Sequence, residues 1–398
     1  MKLKQEKKPT KIKRRYNKNS FKFKILVVCL IVVFLLAGFV IYIARGGGGD
    51  ELQSMFSFLH FGTKITEDAS VIPVSLDTSG KYAFAQYKGD VVVCGLEDVQ
   101  VIDERGRQIF SVPGKFSQPM VYGGENAIAA ASQGGSELLY IRGQDDYHTM
   151  QFEGELISFK LNKNDYLTAV AQQSGGRHCV YVYNPKGEAL FKWQLGSDYV
   201  LDAALGSNNK SLAVSVLDIN SEMTTSKINF FDISKDQSPS NTVVYEDALI
   251  SHMQWYGSAR LGCVSDHAFL MMDSKGGELA KYSFGGKSLR EFNISKESHC
   301  VFALGDMDTV TGSGSDLVIL DKRLQKQGEY HLNNELKNLE VMGNIYVTTA
   351  KELAVLDHSG NVHNMVKLPR DARSGNVFGS GEKMLTVSGL VAEIVSIR

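Results

Sequence analysis

The chain has 398 residues, 43% hydrophobic and 22% charged, with seven prolines and five cysteines. That balance excludes a disordered or collagen-like chain and a small disulfide scaffold, and it leaves ample apolar material for a core. The formal net charge of −1 joins two unlike parts: residues 1–24 hold eleven Lys and Arg against the single acid Glu6, and the remainder carries eleven more acids than bases.

Residues 1–24 read as a basic cytoplasmic tail. A tail of this charge could meet nucleic acid, but beside a hydrophobic span anionic headgroups attract each Lys or Arg by about 1 kcal/mol, so membrane lipid is the expected partner and nucleic acid is not. The acidic remainder shows no basic patch for a polyanion. Residues 25–44, ILVVCLIVVFLLAGFVIYIA, contain no charge. At 1.5 Å per residue they match a hydrocarbon core of roughly 30 Å, so they are expected to form one transmembrane helix. The run is longer than a secretory h-region and lacks an A-x-A-like end. Cys29 follows Val28 rather than a small residue, which argues against a lipoprotein. Because the basic flank stays inside, everything after the helix is expected to be extracytoplasmic.

Residues 45–69 read as a linker. Gly46 to Gly49 cannot hold an orientation. Leu52, Met55, Phe56 and Leu59 then recur at helical spacing, for a juxtamembrane amphipathic helix lying in the interface or packing on the core.

From residue 70 to residue 398 the chain changes to short runs of Val, Ile, Tyr, Phe and Leu broken by Gly, Asn, Asp and Ser, the composition of strands and turns. One phrase returns: an apolar strand, Asp or Asn, two polar residues, Gly, and a second strand. It stands as VQVIDERGRQIFSV from Val99, VYVYNPKGEALFKW from Val180, AFLMMDSKGGELAKYSF from Ala268 and LAVLDHSGNVHNMVKL from Leu353, with looser copies from Glu137, Ile228 and Leu317. The Asp or Asn side chain bonds the backbone two residues on, and Gly supplies positive φ, so each copy specifies a hairpin. With AEIVSIR at the C-terminus there are eight strand landmarks about forty residues apart. Two further apolar runs precede each phrase, which makes four strands per repeat.

That period predicts an all-β fold, a β-propeller of four-stranded blades, eight in number with seven as the alternative. The segment SVIPVSL at Ser70 has no neighbour in sequence and the last repeat lacks a fourth strand, so pairing the two ends would close the ring and remove two exposed edges.

The repeated phrase resembles the blades of bacterial quinoprotein-type and WD-repeat-like propellers. The order of basic tail, single span and C-terminal propeller is similar to an uncharacterised family of membrane-anchored bacterial propeller proteins. The resemblance covers roughly residues 70–398 and implies a fold rather than an activity.

Catalytic, cofactor and metal residues are not assigned. A quinone-dependent site is unsupported: no cysteines are adjacent, and Trp193 and Trp255, the two tryptophans, fall in strands where blade-to-blade packing is expected. GDMDTVTGSGSD at Gly305 and DINSE at Asp218 are incomplete as calcium loops. In His178-Cys179 and His299-Cys300 the two side chains of each pair point to opposite faces of a strand and cannot close on one ion. Cys94, Cys179, Cys263 and Cys300 lie in or beside apolar strands and read as buried thiols. GSGSD and GSGEK match neither a nucleophile elbow nor a phosphate loop. The expected function is therefore a tethered, non-enzymatic binding platform for an envelope protein or polymer. The alternative is an exported hydrolase or lyase with Asp202, His252 and Asp306 as candidate groups in the central funnel.

Overall fold

The computed structural model describes residues 64–66, 71–76, 80–196, 198–220, 222–235, 237–295, 299–306 and 314–398. The expected tail, membrane helix and juxtamembrane helix lie outside these residues. Within them there is no helix. The strands form eight sheets.

Seven blades follow in chain order, each of four antiparallel strands: blade 1 (83–113), blade 2 (119–151), blade 3 (155–194), blade 4 (199–246), blade 5 (250–283), blade 6 (288–332) and blade 7 (336–367). Blade 8 takes three strands from 374–396 and its outer strand, Val71–Val74, from the other end of the domain. Val71 stands opposite Val395 and Val74 opposite Ala392. The ring thus contains eight blades and closes through the segment that had no neighbour in sequence. Lys64–Thr66, within the stretch read as linker, adds a fifth, parallel strand outside Val362–Lys367 of blade 7.

The first strand of each blade touches the first strands of its neighbours and is the inner strand, lining the central channel. The buried hydrophobic residues fall into eight clusters, one at each seam between neighbouring blades. The seam between blades 8 and 1 packs Phe378, Leu385 and Ile394 against Val91, Val93 and Ile102. Fully burying one such side chain is worth about 2 kcal/mol. Second and third strands are covered on both faces and so read as mainly apolar runs without alternation, as in Leu167–Gln172 and Ala268–Asp273, whereas outer strands such as Glu278–Ser283 alternate.

The repeated phrase is the hairpin between third and outer strands. In five blades Oδ1 of Asp103, Asn184, Asp273, Asp321 or Asp357 accepts the backbone N–H groups two and four residues on, at 2.8–3.0 Å. The fourth residue of four of these turns is Gly at φ between 78° and 87°, and in the fifth Leu324 takes the same left-handed conformation. Glycine also sets one seam: a Cβ on Gly123 of blade 2 would fall 1.8 Å from the carbonyl oxygen of Gln86 in blade 1.

Cys94, Cys179, Cys263 and Cys300 are buried free thiols in blades 1, 3, 5 and 6, and burial pushes the thiols of Cys94 and Cys300 up, to about 12 and about 11. Trp193 packs on Phe231 of blade 4 with ring centroids 4.8 Å apart. Trp255 of blade 5 donates from Nε1 to the carbonyl of Ala204 in blade 4 at 2.9 Å. Both tryptophans therefore join neighbouring blades.

Candidate functional site

The site begins with an irregularity repeated in blades 3 to 7. Near the start of each inner strand the ladder skips one residue, namely Ile157, Leu201, Ser251, Arg290 and Lys337. A bulge re-aims the side chains that follow it. The first residue after each bulge is Ser158, Asp202, His252, Glu291 or Asn338, and two further on stand Lys160, Ala204, Gln254, Asn293 and Glu340.

Most polar groups in these two tiers bond the inner strand of another blade. Gln254 Nε2 donates to the carbonyl of Ile294 in blade 6 at 3.3 Å. Asn293 Nδ2 donates to Leu339 O in blade 7 at 3.1 Å, and Asn338 Nδ2 donates to Gly375 O in blade 8. Gln86 Nε2 reaches back from blade 1 to Val377 O of blade 8 at 2.7 Å. The result is a polar hoop that stitches consecutive blades around the channel. Glu340 is its buried acid on the closing side, accepting from Asn338 Nδ2 at 2.8 Å and from Gln86 Nε2 and the Val377 amide at 3.2 Å. The residue is half-buried, but protein surrounds the carboxyl, and desolvation outweighs the three donors and raises its pKa to about 7.

On the other side of the ring three charged or titratable side chains meet. Lys160 Nζ lies 2.6 Å from Asp202 Oδ2, 3.0 Å from Met253 O and 3.3 Å from His252 Nδ1. Asp202 Oδ2 also accepts the Met253 amide at 2.5 Å. An ammonium group only donates, so Nδ1 of His252 accepts and its ring proton is assigned to Nε2. Desolvation, then the charge of Lys160, lowers the His252 pKa to about 4, so the ring is neutral at pH 7. Its face is closed by Phe292, edge-on at 5.1 Å.

A cavity of about 340 Å³ opens over this cluster among blades 2 to 5, with Tyr122, Lys160, His252, Gln254 and Tyr256 in its wall and Glu125 and Lys163 at the connecting turns. Its rim is held by hydrogen bonds between those turns: the Asn126 amide bonds the carboxylate of Asp165, Asn162 Nδ2 bonds Gly206 O, and the Ser207 amide bonds Gly257 O. Lys160 and Asp202 satisfy one another. Gln254 is held by Ile294, and Tyr256 O–H lies 3.1 Å from Cys300 Sγ. His252 Nε2–H and the Tyr122 hydroxyl have no protein partner among the described residues. Burial and then Asp202 raise the Tyr122 hydroxyl to about 12, so it is neutral.

Of the funnel candidates, Asp202 and His252 converge, on neighbouring inner strands. Asp306 does not: it follows the second strand of blade 6, Cys300–Gly305, and its carbonyl accepts from Arg290 Nη2 at 3.0 Å. Lys160, Glu340 and Tyr122 were missed by sequence reasoning. No sequence signal singled them out: Lys160 shares its strand, Glu155–Leu161, with a second charge, Glu155, whereas Asp202 stands alone in Tyr199–Leu205.

His178 Nδ1 accepts the Val200 amide at 3.0 Å, and His299 stacks on His358 with ring centroids 3.7 Å apart, so neither histidine shares a site with its neighbouring cysteine. Asp218 accepts the Asn220 amide and pairs with Lys227 at 2.7 Å, a turn rather than a calcium loop. Most of the acidic loop after Asp306 lies outside the described residues. Among the described residues no three His, Cys, Asp or Glu side chains are grouped to hold a metal ion.

A family model matches residues 64–395, with the description "Family of unknown function (DUF5711)". No curated protein matches the chain. Solved structures match through their fold. The C-terminal WD40 domain of Sif2 aligns with a TM-score of 0.62 at 11% identity, over 84% of this chain and 99% of that one. The Dos1 propeller aligns at 0.55 and 9%, over 83% and 94%. Chaetomium thermophilum Sqt1, solved bound to the N-terminus of ribosomal protein L10, aligns at 0.53 and 12%, over 84% and 99%. The blades are thus of the WD40-like kind.

Proposed function

The chain belongs to DUF5711, a family of unknown function, and from that premise we propose that it is a membrane-tethered, extracytoplasmic propeller that acts as a non-enzymatic binding platform for an envelope protein or polymer. The observation that carries this reading is the hoop. Its polar side chains are committed to holding blades together, and where charges do converge, Lys160 and Asp202 neutralise each other and His252 is a weak base. What remains is a stiff ring with a small cavity and stable turns, a surface built for recognition. A propeller of this shape can hold a protein segment, as Sqt1 holds the N-terminus of L10. Support for the tether is the uncharged run 25–44 with its basic flank.

The test is cross-linking in intact cells, comparing the full chain with one lacking residues 1–45 that is exported by a cleavable signal. The anchored chain should capture envelope material that the released one does not, and protease added outside should reach the propeller and leave the tail. Equal capture by both forms, or a protected propeller, refutes the tethered platform.

The convergence of Lys160, Asp202 and His252 in a cavity favours a second reading, an exported hydrolase or lyase. Under it, purified chain would turn over envelope polymer and His252→Gln would abolish that turnover.

A further inference from the structure

We propose that the cavity over Lys160, Asp202 and His252 is a binding site for an uncharged sugar unit of an envelope polymer. The inference rests on the platform reading and names its ligand class. Three observations lead to it.

The first is charge. The Lys160 ammonium is consumed by Asp202 Oδ2, Met253 O and His252 Nδ1 at 2.6, 3.0 and 3.3 Å. An anion would displace the carboxylate that already neutralises this lysine, and a cation would compete with the lysine for Asp202. Glu125 and Lys163 at the turns carry opposite signs. The pit therefore has no net attraction for either.

The second is the pair of unused groups. Lys160 fixes His252 as a neutral ring whose Nε2–H points away from the cluster, a donor only. The Tyr122 hydroxyl both donates and accepts. Both line the cavity, and both lack a protein partner among the described residues. A matching ligand has oxygens that accept and hydroxyls that donate on one compact body, which describes a sugar ring.

The third is shape. The pit sits at the inner strands of four blades, walled by the aromatic side chains of Tyr122 and Tyr256, which suit the C–H faces of a pyranose. An extended peptide would instead need an open sheet edge or a long groove to pair its backbone. At about 340 Å³ the pit has room for one to two sugar rings.

The experiment uses the full chain in phospholipid nanodiscs and three probes on one ring: N-acetylglucosamine (neutral), glucosamine (cationic) and glucuronate (anionic), with N-acetylalanine methylamide as the peptide control, each titrated by saturation-transfer difference NMR. N-acetylglucosamine should bind, and the charged sugars should bind roughly tenfold more weakly or not at all. Tyr122→Phe removes only the hydroxyl and keeps the ring in its seam; with His252→Ala it should weaken N-acetylglucosamine by roughly tenfold per lost hydrogen bond. An unchanged melting temperature certifies each variant, and Tyr122→Phe decides if His252→Ala does not fold. The proposal is overturned if N-acetylglucosamine does not bind, if either charged sugar or the peptide control binds as well or better, or if Tyr122→Phe binds like the wild type. Failure here with an envelope partner still captured on cells removes the sugar and leaves the platform. Conversion of the bound sugar would remove the platform reading and leave the ligand class.

Discussion

Lys160 holds three acceptors drawn from blades 4 and 5 although it belongs to blade 3. Its side chain is 18% exposed and that of Asp202 5%, so the pair is largely withdrawn from water. Taking one charge from such a pair strands the other, at a cost of about 3–5 kcal/mol, whereas replacing both by apolar groups is far milder. Lys160→Met should therefore lower stability by about 3 kcal/mol, read as a fall in the urea midpoint. The double variant Lys160→Met, Asp202→Leu should recover part of that loss but not all, because the Met253 amide then has no acceptor. If the double variant is no more stable than the single one, the pair is not the reason that the lysine is there.

At the scale of the inner strand, Glu340 and His252 titrate in opposite senses. Glu340 has a folded pKa of about 7, above its ordinary 4.5. Its protonated form favours the folded state, so that contribution is full below pH 4.5 and lost as pH rises through 7. His252 has a folded pKa of about 4, below its ordinary 6.5, so its contribution is full above pH 6.5 and lost as pH falls through 4. Each spans about 3 kcal/mol, and over their shared window they largely cancel. Glu340→Gln should uncover the histidine: stability measured by urea midpoint should climb steadily from pH 4.5 to 6.5 and stay level to pH 8, unlike the flatter wild-type profile. Matching profiles would falsify the assignment. The hairpins were legible in sequence because Asp103 or Asn184 acts on amides two and four residues away, and a local mechanism leaves a local signature. Lys160 and Glu340 left none. Apart from Asn338, two residues before Glu340 in the same strand, their partners lie one or more blades away, and whether a side chain turns towards them depends on a bulge whose position no residue type announces. Asp202 and His252 were picked out as candidate groups in or beside inner strands, which says where they sit but not that they meet.

Over the whole molecule, eight seams of similar make-up explain why the blade count could be read from repeats. Blade 8 takes its outer strand from the other end of the domain, and that strand is short; Lys64–Thr66 likewise reaches the edge of blade 7. A chain beginning at residue 62 should remain a folded monomer. One beginning at residue 77 leaves Val391–Ser396 as an open edge and should associate edge to edge, seen as a larger mass by light scattering; a monomeric, equally stable product would show that closure is dispensable. The same arrangement orders events in time. Val71–Val74 leaves the ribosome before any blade and acquires its partner only when the last residues have been made. The loop that this pairing closes takes in nearly the entire domain, and contacts so distant in sequence form late because their entropy must be met first. A strand made before any blade is thus the last to be used, and a ribosome that stops before Val391–Ser396 is made delivers a ring that cannot lock.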